Sequence, residues 1–261
     1  MESSPTQQFS FSVCDQNVDF LKEPRFLQAY KFGIDSGHQY GVMPQEWQFY
    51  IACCLATHAT NLDGDFVECG VNTGRISLAI CKFIDFNSTG KRFYLFDTYR
   101  GMPEEQITEA ERWYALEYNK KWYPDVYEIA KKNFTPFPNA QLVRGIVPDS
   151  LSQVRIDKVC YLHLDMNIVA PEIAAIEFFW ERLVVGAVVL LDDYNFERHI
   201  LQRTAMDEFA ARAGTMVIPL PTGQGIIIKP YPGRRRQSTI LRKCALIAAS
   251  LLGAPKRMDA T

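Results

Sequence analysis

The pattern of apolar and polar positions divides the chain into a helical first part and a longer part in which strands and helices alternate. Between Phe20 and Ala59, apolar residues recur at helical spacing. The clearest helix starts at Pro44, a residue type favoured in a first turn, and has one apolar face: Trp47, Ile51, Cys54 and Leu55. Beyond the turn at Asp63-Gly64 the pattern predicts strands over 65–69, 92–97, 140–143, 158–165 and 187–191, with helices over 76–86, 171–183 and 197–213.

Strands that alternate with helices imply a parallel sheet with helices on both faces and right-handed crossovers. The stretch 187–191 is apolar at every position, as expected for a strand that is buried on both sides. Residues 215–220 and 225–229 form two further predicted strands joined by a short loop, which is a hairpin. We therefore predict an α/β, Rossmann-like fold of the class I methyltransferase type, in which a mostly parallel sheet is closed by an antiparallel C-terminal hairpin strand.

Length and charge fit one soluble domain with a basic tail. The chain has 261 residues, of which 48% are hydrophobic and 22% charged, and its net charge of −2 gives no reason to expect a nucleic-acid partner. From Tyr231 onward seven Lys and Arg stand against one Asp, so this segment carries +6 and the rest −8. We predict a flexible leader over 1–18, a methyltransferase domain over 19–230 and a basic tail over 231–261.

The sequence also predicts a cytoplasmic protein. Residues 1–8 are polar and lack the pattern of a secretory signal, and no apolar run approaches the roughly 18 residues of a membrane span. The seven cysteines show no Cys-x-x-Cys spacing, which favours buried free thiols. In the tail, the basic run 234–236 precedes apolar residues at helical spacing over 240–252. Such a segment either lies on an anionic membrane, packs on the body or is disordered.

A glycine motif follows the first predicted strand. It reads Glu68-Cys-Gly70-Val-Asn-Thr-Gly74 and leads into a helix. Glycines at this point let the backbone turn sharply and approach a ligand closely. A carboxylate at the strand tip repels a phosphate but attracts an ammonium group, so Glu68 favours the amino-acid end of S-adenosylmethionine over a dinucleotide. The alternative is a plain turn with a surface glutamate.

The next strand ends in a second acidic residue. Asp97 closes Phe93-Tyr-Leu-Phe-Asp97, and an acidic side chain at this position accepts hydrogen bonds from the ribose hydroxyls of a nucleoside. A lone aspartate at a strand end is otherwise often a helix cap. Together with the glycine motif, in this order, it favours a bound nucleoside cofactor.

Three further aspartates follow the fourth and fifth strands. Asp165 ends one of them, and Asp192 and Asp193 end the other. Adjacent strands lie about 4.8 Å apart, so these carboxylates converge at the edge of the sheet and repel one another unless a cation neutralises them. Oxygen ligands suit Mg²⁺, Mn²⁺ or Ca²⁺. A cation here would position an acceptor hydroxyl and lower its pKa.

At these residues the sequence is similar to the macrocin O-methyltransferase (TylF-like) family. The similarity spans roughly 20–229 and rests on four motifs in the same order: Asp65-Phe-Val-Glu-Cys-Gly-Val71, Phe96-Asp-Thr-Tyr-Arg-Gly-Met-Pro103, Gly145-Ile-Val-Pro-Asp-Ser-Leu151 and Val185-Gly-Ala-Val-Val-Leu-Leu-Asp-Asp-Tyr194. The resemblance implies methylation of sugar hydroxyls with S-adenosylmethionine and Mg²⁺. It also implies a metal site at Asp165, Asp192 and Asp193. The implied cofactor contacts, including Thr98 and Ile146 from the same motifs, are Glu68, Gly70, Gly74, Ser77, Asp97, Thr98 and Ile146.

The chain departs from the family pattern at two places. The Trp-Arg-Gly-Gly of the first loop is replaced by Asn72-Thr-Gly-Arg75. After the fourth strand the family has Asp-Gly-Asp, whose second Asp is the catalytic base, whereas this chain has Asp165-Met-Asn167. An amide does not accept a proton at neutral pH. The predicted catalytic set is therefore Asp165, Asn167 and a replacement base, either His199 or His163, with water as a further alternative acceptor of the proton.

The segment 99–138 is too long for a plain connection. Tyr114, Tyr118 and Trp122 lie on one helical stripe within it. This insert is either a lid that stacks on the acceptor and excludes water or an added helix that packs on the body or on a second subunit, and a homodimer is a further expectation.

The sequence predicts metal-assisted transfer of a methyl group from S-adenosylmethionine to a hydroxyl of a sugar or other polyhydroxylated small molecule. Two alternatives stay open at this point. The loss of the family's base at Asn167 allows a non-catalytic scaffold that binds the cofactor. The glycine turn and strand-end aspartate are shared with NAD-dependent oxidoreductases, although Glu68 and the closing hairpin disfavour that class.

Overall fold

The computed structural model describes residues 17–38 and 45–231. Nearly all of the predicted leader, the first residue of the predicted Pro44 helix and the basic tail beyond Tyr231 lie outside the described residues. Within the described ranges no helix is both long and apolar enough to cross a membrane.

A seven-stranded sheet forms the centre of the domain. Its strands are β1 (Asp65–Cys69), β2 (Phe93–Asp97), β3 (Ala140–Arg144), β4 (Val159–Leu164), β5 (Leu183–Leu191), β6 (Ile218–Pro219) and β7 (Gly225–Ile228). The order across the sheet is β3-β2-β1-β4-β5-β7-β6. Neighbours among β1 to β5 are parallel, whereas β7 runs antiparallel to β5 and to β6. The predicted fold class is confirmed, including the antiparallel closing hairpin.

Seven α-helices lie along the described chain: α1 (Pro24–Ile34), α2 (Glu46–Thr60), α3 (Arg75–Phe83), α4 (Arg112–Trp122), α5 (Tyr127–Phe134), α6 (Val169–Trp180) and α7 (Ile200–Arg212). One hydrophobic core joins α1, α2 and α3 to one face of the sheet, through residues such as Phe49 and Phe66. A second core joins α6 and α7 to the other face, through residues such as Val67 and Phe179. Phe66 and Val67 are neighbours, so successive side chains of β1 reach opposite cores, as the period of a strand requires.

The helix after Pro44 is present, but its predicted buried face is wrong. Its buried apolar side chains are Phe49, Ala52, Cys53, Ala56 and Ala59. Cys54 is exposed, and Trp47, Ile51 and Leu55 are only half-buried. The helix is apolar nearly all round, so periodicity did not single out one face, and contacts with α3 and the sheet made the choice. Cys53, Cys69, Cys81 and Cys160 are buried free thiols, as predicted.

Several element ends also differ from the sequence prediction. The predicted helix 197–213 is a short 3₁₀ turn over Glu197–His199 that runs into α7. The fifth strand begins at Leu183, four residues earlier than predicted, because Leu183 already pairs with Val159 of β4, and Gly186 and Ala187 hydrogen-bond to Lys229. The strand predicted over 215–220 is reduced to β6, whose two residues pair only with β7 at the edge of the sheet.

Candidate active site

The carboxyl ends of the parallel strands border an open cleft with an empty volume of about 680 Å³. The glycine turn after β1 and the tips of β2 and β4 contribute to its wall. The described residues that line it include five predicted site residues: Gly70, Asp97, Thr98, Asp165 and Asn167. This is the edge at which open α/β sheets bind ligands.

Gly70 brings the tips of β1 and β4 into direct backbone contact. Its φ of +91° lies in the region that favours glycine. A Cβ atom at this position would lie 1.9 Å from the backbone oxygen of Asp165. Gly70 therefore allows the tip of β1 to approach the tip of β4 closely. Asp165 reaches the cleft because no side chain lies between the two tips.

Asp97 holds the glycine turn in place. Its Oδ2 accepts hydrogen bonds from the backbone N–H groups of Val71 and Asn72, each at 2.6 Å. Its Oδ1 accepts from the backbone N–H of Tyr99 at 2.7 Å. The carboxylate thus has three backbone donors and also lines the cleft, so its charge is stabilised before any ligand binds.

Glu68 lies beneath the turn rather than in the cleft wall. Only 3% of the side chain is exposed, and it faces His163, its partner in the β1–β4 register. Nδ1 of His163 lies 2.8 Å from Glu68 Oε1, and Nε2 lies 3.7 Å from Asp192 Oδ1. Burial by itself lowers the pKa of His163, but the nearby carboxylates of Asp192 and Glu68 outweigh it and raise the pKa to about 10. An imidazole that holds its proton at neutral pH is no general base, which argues against His163 in that role.

Asp192 and Asp193 turn to opposite faces of the sheet. Asp192 lies on the same face of the sheet as His163, and its Oδ1 also accepts a hydrogen bond from Gln224 Nε2 at 3.1 Å. Asp193 turns toward α6 and α7, where its Oδ2 lies 3.8 Å from Nε2 of His199. Asp193 Oδ2 is buried and has no hydrogen-bond partner among the described residues.

The three aspartates interact strongly although they do not form a preformed coordination sphere. Burial and the charges of Asp192 and Asp193 raise the pKa of Asp165 well above its usual range. Burial and Asp192 raise that of Asp193 in the same way. Within residues 17–38 and 45–231, no group of three or more His, Cys, Asp and Glu side chains is arranged to hold a metal ion as it stands. The chemistry of these donors nevertheless suits a hard divalent cation, which would relieve the repulsion and occupy the unpaired Asp193 oxygen.

His199 belongs to a buried hydrogen-bonded chain on the α6–α7 side. Its Nδ1 contacts Gln202 Oε1, and Gln202 Nε2 donates to Glu172 Oε1 at 2.7 Å. Burial lowers the pKa of His199 to about 4, so the ring is neutral at pH 7. Burial and the charge of Asp193 raise the pKa of Glu172 to about 8.

Asn167 connects the cleft to the insert. Its φ is +63°, and its Nδ2 donates to Asp165 Oδ1 at 3.1 Å. Tyr114 of α4 donates its hydroxyl proton to the Asn167 backbone oxygen at 3.0 Å, and Glu111 Oε1 accepts from the first N–H of α6, at Val169. Within the insert, therefore, Tyr114 packs on the body of the domain. A lid function of this segment stays a prediction.

The remaining predicted site residues do not line the cleft: Glu68, Gly74, Ser77, Ile146, Asp192, Asp193 and His199. Ser77 is buried and donates to the backbone oxygen of Gly74, and Gly74 packs so closely that a Cβ would lie 2.5 Å from the Phe134 ring. Ile146 lies between Gly145 and Val147, which do line the cleft. Cofactor contacts at these positions stay predictions.

Sequence reasoning missed four polar side chains in the cleft wall, which are His38, Arg100, Gln106 and Tyr123. Gln106 Nε2 donates to the backbone oxygen of Val147 at 2.7 Å, and its buried Oε1 has no partner among the described residues. Gln106 and Tyr123 belong to the insert, where the sequence offered only aromatic spacing as a signal. Arg100 lies inside the motif 96–103, but the resemblance gave it no role. His38 lies far from every motif along the chain, so only the fold brings it to this site.

Comparison with known proteins agrees with this geometry. The family model of macrocin-O-methyltransferase (TylF) matches residues 48–219, whereas no curated protein matches the sequence. Among solved structures, the O-methyltransferase NovP superposes with a TM-score of 0.60 at 20% identity, covering 70% of this chain and 79% of NovP. The calicheamicin methyltransferase CalS11 gives 0.55 at 14% identity, covering 89% and 99%. A protein from Corynebacterium glutamicum gives 0.53 at 14%, covering 83% and 97%.

The matched residues are two thirds of the chain and contain the glycine turn, Asp97 and all three edge aspartates. The match decides between the two enzyme classes that the glycine turn and the strand-end aspartate left open. The chain belongs to the macrocin-O-methyltransferase (TylF) family and is an S-adenosylmethionine-dependent O-methyltransferase.

Proposed function

We propose that this enzyme methylates a hydroxyl group of a sugar or other polyhydroxylated small molecule, with the assistance of a divalent cation. The observation that carries the proposal is the sheet edge, where Asp165 lines the cofactor cleft and interacts with Asp192 and Asp193. The acceptor class is supported by family membership and by CalS11, which is described as a TDP-rhamnose 3'-O-methyltransferase.

The cofactor half of the site is supported by the turn after β1. Asp97 fixes the backbone N–H groups of Val71 and Asn72 and faces the cleft, so a ribose would meet a carboxylate that is already oriented. The unpaired Gln106 Oε1 offers an acceptor to an amino group of a ligand in the same cleft. A positioned sulfonium methyl group makes the transfer effectively unimolecular.

The acceptor half is supported by the carboxylates after β4 and β5. Asp165, Asp192 and Asp193 are the residues that would hold the cation. When bound there, such a cation would lower the pKa of the acceptor hydroxyl and orient its oxygen. Asn167 Nδ2 donates to Asp165 Oδ1 and so fixes the direction of that carboxylate.

Because the chain has Asn167 where the family has its catalytic base, another group must accept the proton of the acceptor hydroxyl. His163 keeps its own proton, and His199, with a pKa of about 4, is a weak acceptor. We therefore propose that a hydroxyl acidified at the aspartates gives its proton to water, with His199 as the candidate residue if a protein base takes part.

The test is turnover by the full chain after treatment with a chelator. S-Adenosylmethionine is supplied with a panel of nucleotide-sugars and glycosides, with and without Mg²⁺ or Mn²⁺, and S-adenosylhomocysteine and methylated product are measured by mass spectrometry. We expect turnover only with the cation, and a loss of about 100-fold or more in Asp165→Asn and Asp192→Asn. The matched control is Asp157→Asn, which removes an exposed carboxylate that pairs with Arg155.

Two results would contradict the proposal. Full turnover in chelator would exclude cation assistance. Tight binding of S-adenosylhomocysteine without methylation of any hydroxylated acceptor would instead support the non-catalytic scaffold that Asn167 permits.

A further inference from the structure

The insert brings a glutamine with an unsatisfied oxygen to the wall of the cleft. Gln106 ends the short 3₁₀ turn Glu104–Gln106, and its backbone N–H donates to the backbone oxygen of Pro103 at 3.0 Å. The residue lines the cleft, yet its Oε1 is buried and has no hydrogen-bond partner among the described residues. A buried acceptor that has lost water without gaining a donor is costly, and a ligand that donates to it removes that cost.

Val147 determines which end of the Gln106 amide is left without a partner. Gln106 Nε2 donates to the backbone oxygen of Val147 at 2.7 Å. A carbonyl oxygen only accepts, so the amide NH₂ must face it, and turning the amide over would set two acceptors against each other. Oε1 is therefore held away from Val147, and a ligand group that meets it must be a hydrogen-bond donor.

The backbone that leads to Gln106 is fixed on both sides. Asn119 of α4 accepts the backbone N–H of Met102 at 2.8 Å and donates to the backbone oxygen of the same residue at 2.7 Å. Thr98 Oγ1 donates to the backbone oxygen of Gly101 at 2.6 Å. Together with the bond to Val147, these contacts position the glutamine before a ligand binds, so little order is lost on binding.

The order of the strands determines which part of the cofactor lies beside Gln106. Asp97, at the tip of β2, faces the ribose, with β1 and β4 on one side of it and β3 on the other. The sulfonium group, carried on C5′ of the ribose, must turn toward Asp165 on β4, where the proposed function puts the acceptor. The base is attached to C1′, on the other side of the ribose ring, and so extends toward the tip of β3.

The tip of β3 is where Gln106 is bound. Gly145 directly follows β3, and its backbone N–H donates to the backbone oxygen of Asp97 at 2.9 Å. Gly145 and Val147 both line the cleft, as do the buried apolar side chains of Phe96 and Met102. Apolar walls with one oriented polar group are typical of a site for a flat aromatic ligand.

The substituent at C6 distinguishes the purines at such a site. Adenine has a 6-amino group, which donates hydrogen bonds, whereas hypoxanthine and guanine have a 6-oxo group, which accepts them. The amino group would satisfy Gln106 Oε1. A 6-oxo group would face that oxygen with a second acceptor, and the bond to Val147 prevents the amide from turning over to relieve the contact.

We propose that Gln106 accepts a hydrogen bond from the 6-amino group of the cofactor's adenine and makes the enzyme selective for a 6-aminopurine over a 6-oxopurine cofactor. The insert, rather than a strand motif, then supplies the residue that determines specificity for the base. The proposal takes from the proposed function only the side of the ribose on which the acceptor lies.

The test is calorimetric binding to the full chain, with neither acceptor nor divalent cation present. The ligands are S-adenosylhomocysteine, its 6-oxo analogue S-inosylhomocysteine, and the analogue with hydrogen at C6. In the wild-type protein we expect the 6-hydrogen analogue to bind about tenfold more weakly than S-adenosylhomocysteine, and the 6-oxo analogue about 10- to 100-fold more weakly.

Three variants assign this preference to the glutamine oxygen. Gln106→Met keeps the length of the side chain, and we expect it to bind S-adenosylhomocysteine about tenfold more weakly and all three ligands within about threefold of one another. Gln106→Glu keeps an acceptor and should keep the preference for the 6-amino ligand. Gln141→Met, at an exposed position of β3, is the matched control and should change none of the affinities. Structural damage alone would weaken all three ligands alike.

Two results would overturn the proposal. One is equal binding of the three ligands to the wild-type protein, and the other is a wild-type preference that persists in Gln106→Met. Should that variant fail to fold, a nuclear Overhauser contact between the 6-amino protons of bound S-adenosylhomocysteine and the side-chain amide of Gln106 in the wild-type protein decides the matter, and its absence counts against the proposal. Loss of acceptor methylation or of cation dependence would instead contradict the proposed function, and it would leave the ratio of these affinities unchanged.

Discussion

The two halves of the sheet edge treat buried charge in different ways. At the tips of β1 and β2, Asp97 has three backbone N–H donors and Glu68 faces the protonated His163. At the tips of β4 and β5, burial and neighbouring carboxylates raise the pKa values of Asp165 and Asp193, so that both groups resist ionisation. Asp97 in the first half therefore has its donors within the chain, whereas Asp193 in the second half has a buried oxygen, Oδ2, without a hydrogen-bond partner among the described residues.

This difference indicates how the site divides its work. A turn fixed by backbone hydrogen bonds is organised before the cofactor arrives and loses little order on binding. Carboxylates without partners are costly in the folded protein and are stabilised when a cation binds. We expect substitutions in the first half to act on stability with or without a cation, and those in the second half to depend on the cation.

The contact that joins the two halves gives the largest expected effect. Gly70→Ala forces a Cβ against the backbone oxygen of Asp165, which cannot rotate away, and we expect a loss of about 4 kcal/mol or more in the free energy of unfolding. Gly90→Ala is the matched control because Gly90 also has a positive φ, of +71°, but no atom within 4 Å. It should lose about 1–2 kcal/mol. Equal losses in urea denaturation would show that the approach of β1 to β4 is not a constraint.

The cofactor half is tested at Asp97. In Asp97→Asn only one oxygen remains to accept from three backbone N–H groups, so we expect a loss of about 2–3 kcal/mol. Amide hydrogen exchange at Val71 and Asn72 should accelerate, and binding of S-adenosylhomocysteine should weaken. Asp157→Asn, at an exposed ion pair, serves as control with a loss of about 0–1 kcal/mol. Unchanged amide hydrogen exchange at Val71 and Asn72 would show that Asp97 does not hold the glycine turn in place.

The acidic half is tested by adding a fourth carboxylate. Asn167→Asp replaces a donor to Asp165 by a like charge, and in chelator we expect a loss of about 1–3 kcal/mol. With Mn²⁺ the sign reverses, because the added oxygen strengthens cation binding, and the melting temperature exceeds that of the wild-type protein. Asn87→Asp, on the exposed surface, should show no dependence on the cation. A loss of stability that is the same with and without Mn²⁺ would contradict the comparison.

The smallest effect is a difference in pH dependence between the two histidines. The folded pKa of His163, about 10, lies above the unfolded value of about 6.5. Its contribution to stability is therefore present below pH 6.5 and is lost as the pH rises toward 10. The folded pKa of His199, about 4, is lower than the unfolded value, so its contribution is present above pH 6.5 and is lost as the pH falls toward 4.

In chelator, ¹⁵N resonances should show His163 charged and His199 neutral throughout pH 6–8, with free histidine in the sample as the titrating reference. His163→Gln should flatten the alkaline limb of the stability profile, and His199→Gln the acidic limb. Titration of either ring within this range would contradict the assignment.

The fold was accessible from local pattern because its signals are short-range. The all-apolar run 187–191 and the alternating order of strands and helices predicted the parallel sheet, and the loop between 220 and 225 predicted the hairpin. The buried face of α2 was not accessible, since a helix with Trp47, Phe49 and Leu55 around its circumference presents no single stripe.

The sequence by itself determined which carboxylates come to the sheet edge, because Asp97 and Asp165 end predicted strands and Asp192 directly follows one. Only the tertiary structure decided what each of them meets. Asp192 and Asp193 are neighbours along the chain, yet one faces His163 and the other His199, since successive residues leave a strand on opposite sides. The partners of a charge come from elements far apart in sequence, and no local pattern encodes their contacts.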